Sequence, residues 1–197
     1  MKNLFGIPVL ESILDFPEEE RLSLISYMTE KEELCATPKT WLCDLITSYA
    51  SNPNLHHFEE FSFIKILLQE KAREYADSVK FDFFRHDLNL ENMWFNIYRK
   101  GHSQEKHDHG RSFLSCAYIM EAPENCADFV FYNPTPEGLI NYPSYEETNL
   151  LIYPVKAETN KLIMFPGWLE HGVRLNKTNE PRISISANWG IINKPHD

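Results

Sequence analysis

The sequence predicts an α+β chain, mainly β, whose strands close on themselves as a sandwich or jelly-roll barrel with N-terminal helices packed on one outer face. Three observations carry this. Two segments with helical spacing occupy the first 80 residues, and about eight short aromatic and β-branched runs follow them. The 197 residues are 43% hydrophobic and 13% aromatic, enough for one core. The expected organisation is therefore a single domain over 1–197, with a helical part over about 1–80 and a barrel over about 81–192.

The first helix is expected over 16–33. Pro17 suits the first helical position, Glu18, Glu19 and Glu20 oppose the positive end of the helix dipole, and Leu22, Leu24, Ile25 and Met28 recur at helical spacing. A second helix is expected over 58–79, where Phe61, Ile64, Leu68, Ala72, Tyr75 and Val79 recur at steps of three or four. Both read as covering helices. Strands are then expected at 81–88, 92–99, 112–120, 128–132, 150–155, 161–165, 171–175 and 182–190. The stretch 133–149, NPTPEGLINYPSYEETN, holds three prolines and no clear period, and reads as a long loop of the kind that often carries function.

Charge and composition exclude several classes. Nineteen basic against 29 acidic residues leave a net charge of −10, which repels a phosphate backbone, so nucleic acid is not an expected partner. The 7 glycines fit neither a dinucleotide fingerprint, nor a phosphate loop, nor a serine-hydrolase elbow. No run approaches the ~18 apolar residues of a membrane span, and the first residues lack a signal-peptide pattern, so a cytoplasmic protein is expected. Cys35, Cys43, Cys116 and Cys126 form no C-x-x-C pair and read as reduced thiols. No signal for an oligomeric state is present.

Chemistry concentrates in two runs. In WFNIYRKGHSQEKHDHGRS, His107 and His109 are one residue apart, and on an extended backbone such side chains project from the same face, within reach of one metal ion, while Asp108 points the other way. In LIMFPGWLEHGVRLN, His171 opens an expected strand 64 residues after His107 and is the third ligand candidate. The pair by itself also fits two surface histidines. His56, His57, His86, His102 and His196 have no such company and read as ordinary surface or hydrogen-bonded residues.

The last strand, PRISISANW, sets Arg182, Ser184, Ser186 and Asn188 on one face and Ile183, Ile185, Ala187 and Trp189 on the other. A sheet with one wet face fits that alternation equally well. Following His171, the polar face instead reads as the lining of a cavity that holds an anion. Trp94, Asn96 and Tyr98 likewise share a face just ahead of the histidine pair, and buried Trp and Tyr need polar partners, either from the core or from a ligand.

The succession Asn96-x-Tyr98, His107-x-His109, His171 and Arg182-x-Ser184 resembles the iron(II)- and 2-oxoglutarate-dependent oxygenases. LFGIPVLE at the start and FPGWLEHGV with RISISAN near the end are similar to a group of small, uncharacterised members of that superfamily. The resemblance implies a double-stranded β-helix fold, Fe(II) as cofactor and 2-oxoglutarate as cosubstrate. It implies His107 and His171 as iron ligands, with His109 at the position where the superfamily usually carries Asp or Glu. It also implies Arg182 and Ser184 on the distal carboxylate of 2-oxoglutarate, with Asn96 and Tyr98 lining that pocket. A neutral imidazole in place of a carboxylate leaves one more positive charge on the centre.

Two other readings stay open: a cupin-like three-histidine metalloprotein or dioxygenase that does not use 2-oxoglutarate, and a non-catalytic jelly-roll binding module. Gly101, His107-x-His109 and the Pro166 to His171 spacing agree with a cupin, but Phe113 and Leu114 stand where a cupin carries Glu, and a cupin gives no role to Arg182. The expected substrate is a small molecule or a peptide, with the loop bearing Tyr142 and Tyr145 as its candidate cover.

Overall fold

In the computed structural model, which describes residues 6–136 and 150–195, the elements run β1 (Leu10–Ile13), α1 (Glu18–Glu30), β2 (Ile46–Thr47), α2 (Ser62–Ser78), β3 (His86–Tyr98), β4 (Gln104–His107), β5 (Leu114–Glu121), β6 (Phe129–Tyr132), β7 (Ile152–Val155), β8 (Lys161–Pro166), β9 (His171–Val173) and β10 (Arg182–Asn193). Two antiparallel sheets result. One has the order β1-β8-β5-β10-β3-β2, the other β4-β9-β6-β7. No helix among the described residues is long and apolar enough to cross a membrane.

Strand alternation sorts the side chains into two apolar clusters. Cys116, Tyr118 and Met120 of β5, Leu162 and Met164 of β8, and Ile183, Ile185, Ala187 and Trp189 of β10 join one cluster with Leu24 and Met28 of α1 and Ile64, Leu68, Ala72 and Tyr75 of α2. Ala117 and Ile119, Ile163 and Phe165, and Tyr98 turn the other way, into a second cluster with Phe129, Phe131, Val155 and Val173 of the smaller sheet. Both faces of the larger sheet are thus covered, which is why β5 and β8 read as nearly unbroken apolar runs.

A buried cation ties α1 to the larger sheet. Arg21 donates to the Met120 carbonyl (2.7 Å) and pairs with Glu121 (2.6 Å) and Glu18 (2.7 Å). This matches the rule that a charge removed from water keeps charged or hydrogen-bonded partners.

Several boundaries differ from expectation. Pro17 precedes α1 instead of opening it, and 59–61 is a 3-10 turn ahead of α2. The expected strands 81–88 and 92–99 are one strand from His86 to Tyr98, because β10 pairs with it along its whole length across a bulge at Asn188/Trp189. β1, β2 and β4 were not expected. β4 reads QEKH, a polar tetrad whose extended form comes from pairing with β9 and not from its own residues. Part of the expected loop, 137–149 with Tyr142 and Tyr145, and His196 lie outside the described residues.

Candidate functional site

β4 and β9 lie antiparallel with His107 directly opposite His171. His171 is 3% exposed, stacked on Phe129 (ring centroids 5.3 Å apart, planes 14° apart) and against Phe165 at 4.6 Å. His109 lies beyond the end of β4, so strand alternation is not what aims it. Its backbone N–H donates to the Gly167 carbonyl (2.8 Å), and Gly110 follows in the left-handed region at φ 56°. That contact needs a glycine at 167, where an added Cβ would lie 2.2 Å from the Ser112 carbonyl oxygen. Asp108 does not simply point away: it is exposed at the mouth of the same cavity, with Oδ1 accepting from the Gly110 N–H (2.7 Å).

The three histidines offer ligand atoms all within 4.8 Å of one another. His107 Nδ1 lies 2.8 Å from the Glu105 carbonyl oxygen, and His171 Nδ1 lies 2.8 Å from that of Leu169. A carbonyl only accepts, so both Nδ1 atoms carry the proton and both Nε2 atoms keep their lone pair, the tautomer that metal ligation needs. His109 Nε2 lies 3.1 Å from His171 Nε2. Two nitrogens about 2.1 Å from one ion and about 90–110° apart are themselves about 3.0–3.4 Å apart, so this pair fits a shared metal. His109 differs in its outer partner. Its Nδ1 faces the Asn188 amide nitrogen at 3.4 Å, and that amide is held by Ser115 Oγ (2.7 Å) and Asn92 Oδ1 (2.8 Å).

All three imidazoles are kept neutral. Burial pushes His171 well below its ordinary value, helped by His107 and His109. Burial and then His107 push His109 down to about 3. Burial also lowers His107, against the pull of Glu105 and Asp108. Neutral imidazoles bind a cation without first losing a proton.

The same cavity, about 180 Å³, reaches the β3–β10 ladder, where Arg182 pairs with Tyr98 and Ser184 with Asn96. Arg182 is 1% exposed, its guanidinium 5.1 Å from the Tyr98 ring and its Nη1 3.4 Å from Ser184 Oγ. Its Nε and Nη2 have no partner among the described residues. Burial lowers its pKa, yet a guanidinium stays charged at neutral pH. A buried charge with two free donor nitrogens calls for an anion, and a planar fork suits a carboxylate. Burial raises the Tyr98 hydroxyl to about 12, against the pull of Arg182, so it stays protonated and able to donate. Asn96 Nδ2 donates to Ser186 Oγ (3.2 Å) on the same cavity wall.

All seven expected site residues therefore line one cavity. Sequence reasoning passed over Trp41, Tyr49 and Glu105, which also line it, and the Asn92–Asn188 pair behind His109. Strand alternation signalled Asn188. Nothing local signalled Trp41 or Tyr49, which come from the segment around β2.

Residues 92–188, the stretch that contains all seven, match a family model described as "Putative 2OG-Fe(II) oxygenase". Over that stretch, just under half of its 197 residues, the chain is similar to the 2OG-Fe(II) oxygenases. Proteins of that family are oxidoreductases that use Fe(II) and 2-oxoglutarate. No curated protein matches its sequence. Among solved structures, a Pseudomonas putida prolyl-4-hydroxylase is similar at 12% identity over 93% of this chain and 92% of that one, with a TM-score of 0.64. The viral collagen prolyl hydroxylase of Paramecium Bursaria Chlorella virus-1, solved with 2-oxoglutarate, is similar at 14% identity over 92% and 94%, with a TM-score of 0.59. HygX from Streptomyces hygroscopicus, solved with nickel, 2-oxoglutarate and hygromycin B, gives 15% identity over 93% and 83% and a TM-score of 0.58. At these identities the likeness is one of fold.

Proposed function

We propose that this 2OG-Fe(II) oxygenase holds Fe(II) with His107, His109 and His171 and 2-oxoglutarate with Arg182 and Ser184, in a cavity whose wall includes Asn96 and Tyr98. The single observation that carries the assignment is the buried Arg182 guanidinium, its free Nε and Nη2 in the same cavity as three convergent imidazoles. The chain is read as one domain, helical over about 1–80 and β over about 81–192. Its two sheets form a double-stranded β-helix with α1 and α2 on one outer face. The substrate is a small molecule or a peptide.

Bound Fe(II) supplies the oxygen activation that couples the reaction 2-oxoglutarate + O2 + R–H → succinate + CO2 + R–OH. The protein contributes position and dryness. Arg182 grips the distal carboxylate through two parallel N–H donors, and Ser184 beside it offers a hydroxyl to the same group. Phe129 and Phe165 pack on His171, fixing its ring and keeping water from the inner side of the centre. The carbonyls of Glu105 and Leu169 hold the protons of His107 and His171 away from the metal side.

Anaerobic addition of Fe(II) and 2-oxoglutarate tests this reading. The expected result is a visible charge-transfer band that needs both components and is lost in His171→Ala. Iron binding with no response to 2-oxoglutarate would instead favour a three-histidine metalloprotein.

A further inference from the structure

We propose that the mouth of the cavity selects a substrate bearing an alkylammonium or guanidinium group, held over the wall formed by Trp41, Tyr49 and Trp94 and by the carboxylates of Glu105 and Asp108. The proposal rests on the oxygenase reading and names the substrate class of that site. The aromatic wall is continuous. Trp41 and Tyr49 are stacked at 5.8 Å between ring centroids, Tyr49 meets Trp94 at 5.1 Å, and Trp94 reaches His109 at 5.6 Å. It runs from exposed Tyr49 to buried Trp94, so a group lying along it approaches the metal ligands from solvent.

Aromatic faces attract cations, and the charges around this wall have the matching sign. Apart from Arg182, which the cosubstrate occupies, the charged residues lining the cavity among the described residues are Glu105 and Asp108. Glu105 Oε2 accepts from the Leu42 N–H (2.8 Å), which holds the Trp41 segment against β4, and Asp108 Oδ1 accepts from Gly110. Each carboxylate keeps its second oxygen. Among the described residues neither makes an ion pair, since the nearby Lys106 is taken by Glu170 (2.9 Å).

An anionic substrate would meet two carboxylates and a chain of net charge −10. A purely apolar one would draw those carboxylates out of water without supplying a counter-charge. A neutral polyol would stack and hydrogen-bond, but gains nothing from the charge.

The test is calorimetric titration of the protein loaded with Zn(II) and 2-oxoglutarate, which reads binding without turnover. The probes are Nα-acetyl-lysine methylamide, its arginine and norleucine analogues, methyl glucoside, and the tripeptide Ac-Gly-Lys-Gly-NH2. The lysine and arginine probes are expected to bind about tenfold tighter than norleucine, with the preference reduced several-fold in Trp41→Ala and in Asp108→Asn and by added salt. Tripeptide binding tighter than that of the single amino-acid amide marks a peptide source, and the reverse order a small amine. Equal binding of lysine and norleucine probes, tighter binding of the glucoside, or no saturable binding of any cationic probe overturns the proposal. The Fe(II)·2-oxoglutarate band is recorded separately without probes. Its absence beside a retained cation preference removes the oxygenase reading alone.

Discussion

His107 and His171 stand directly opposite one another across the β4–β9 ladder, and each donates its Nδ1 proton to the carbonyl two residues upstream, Glu105 and Leu169, at 2.8 Å. Backbone pairing thus places and orients two candidate ligands at once, 64 residues apart in sequence. His107→Ala and His171→Ala are each expected to abolish stoichiometric Fe(II) binding while circular dichroism stays that of the parent. Metal analysis showing one Fe(II) per chain in both variants would place the centre elsewhere.

Arg182 is expected to serve the cosubstrate and not the metal. A charge-assisted bond is worth about 1.5–3 kcal/mol, so Arg182→Ala should weaken 2-oxoglutarate binding about ten- to a hundredfold and leave Fe(II) affinity near that of the parent. Arg182→Lys should recover little, because an ammonium cannot reproduce the planar two-bond grip. Equal 2-oxoglutarate affinity in parent and Arg182→Ala would sink the assignment.

His109 is the proposed ligand whose outer partner is an amide nitrogen and not a carbonyl. His109→Asp returns a negative charge beside the metal and should retain Fe(II) more tightly than His109→Ala. Iron retention measured by dialysis against a chelator separates the cases. Identical retention in parent, Asp and Ala variants would mean that His109 does not ligate.

Gly167 carries a structural prediction. Its carbonyl holds the His109 N–H, and an added Cβ would meet the Ser112 backbone at 2.2 Å. Gly167→Ala should destabilise the protein by about 1–3 kcal/mol in denaturant titration, the usual cost of overpacking, and should lower metal affinity in the folded fraction. Gly101→Ala meets no side-chain or backbone neighbour, so it should cost only the backbone penalty of its φ of 88° and leave metal affinity unchanged.

The histidine cluster predicts acid sensitivity of the metal-free protein. Unfolded histidines titrate near 6.5, whereas burial holds His109 down at about 3 and His171 well below 6.5. Below about pH 6.5 the unfolded chain binds more protons than the folded one, so stability falls as pH falls; above it, neither state binds them and the cluster contributes no slope. Tm should therefore be insensitive to these groups above pH 7 and drop below 6.5, less steeply in His109→Gln. An identical acid slope in parent and variant would show that His109 titrates normally in the folded chain.

The sequence alone determined the class of the longer elements and the polarity of the faces of β3 and β10, because a period of two is a local property. Asn96 with Tyr98, and Arg182 with Ser184, could be assigned to common faces without knowing what those faces met. Tertiary structure decided what alternation leaves open. It set Arg182 opposite Tyr98 and Ser184 opposite Asn96, so that the polar face of β10 lines a cavity and not a solvated surface. It made a strand of QEKH, whose residues have little β preference, by pairing it with β9. It carried His109 past the end of that strand and aimed it through a contact with Gly167, and it brought Trp41 and Tyr49 to the cavity mouth. These outcomes depend on register and long-range packing. The free energy that selects them comes from burying surfaces contributed by distant parts of the chain, which no local stretch of sequence records.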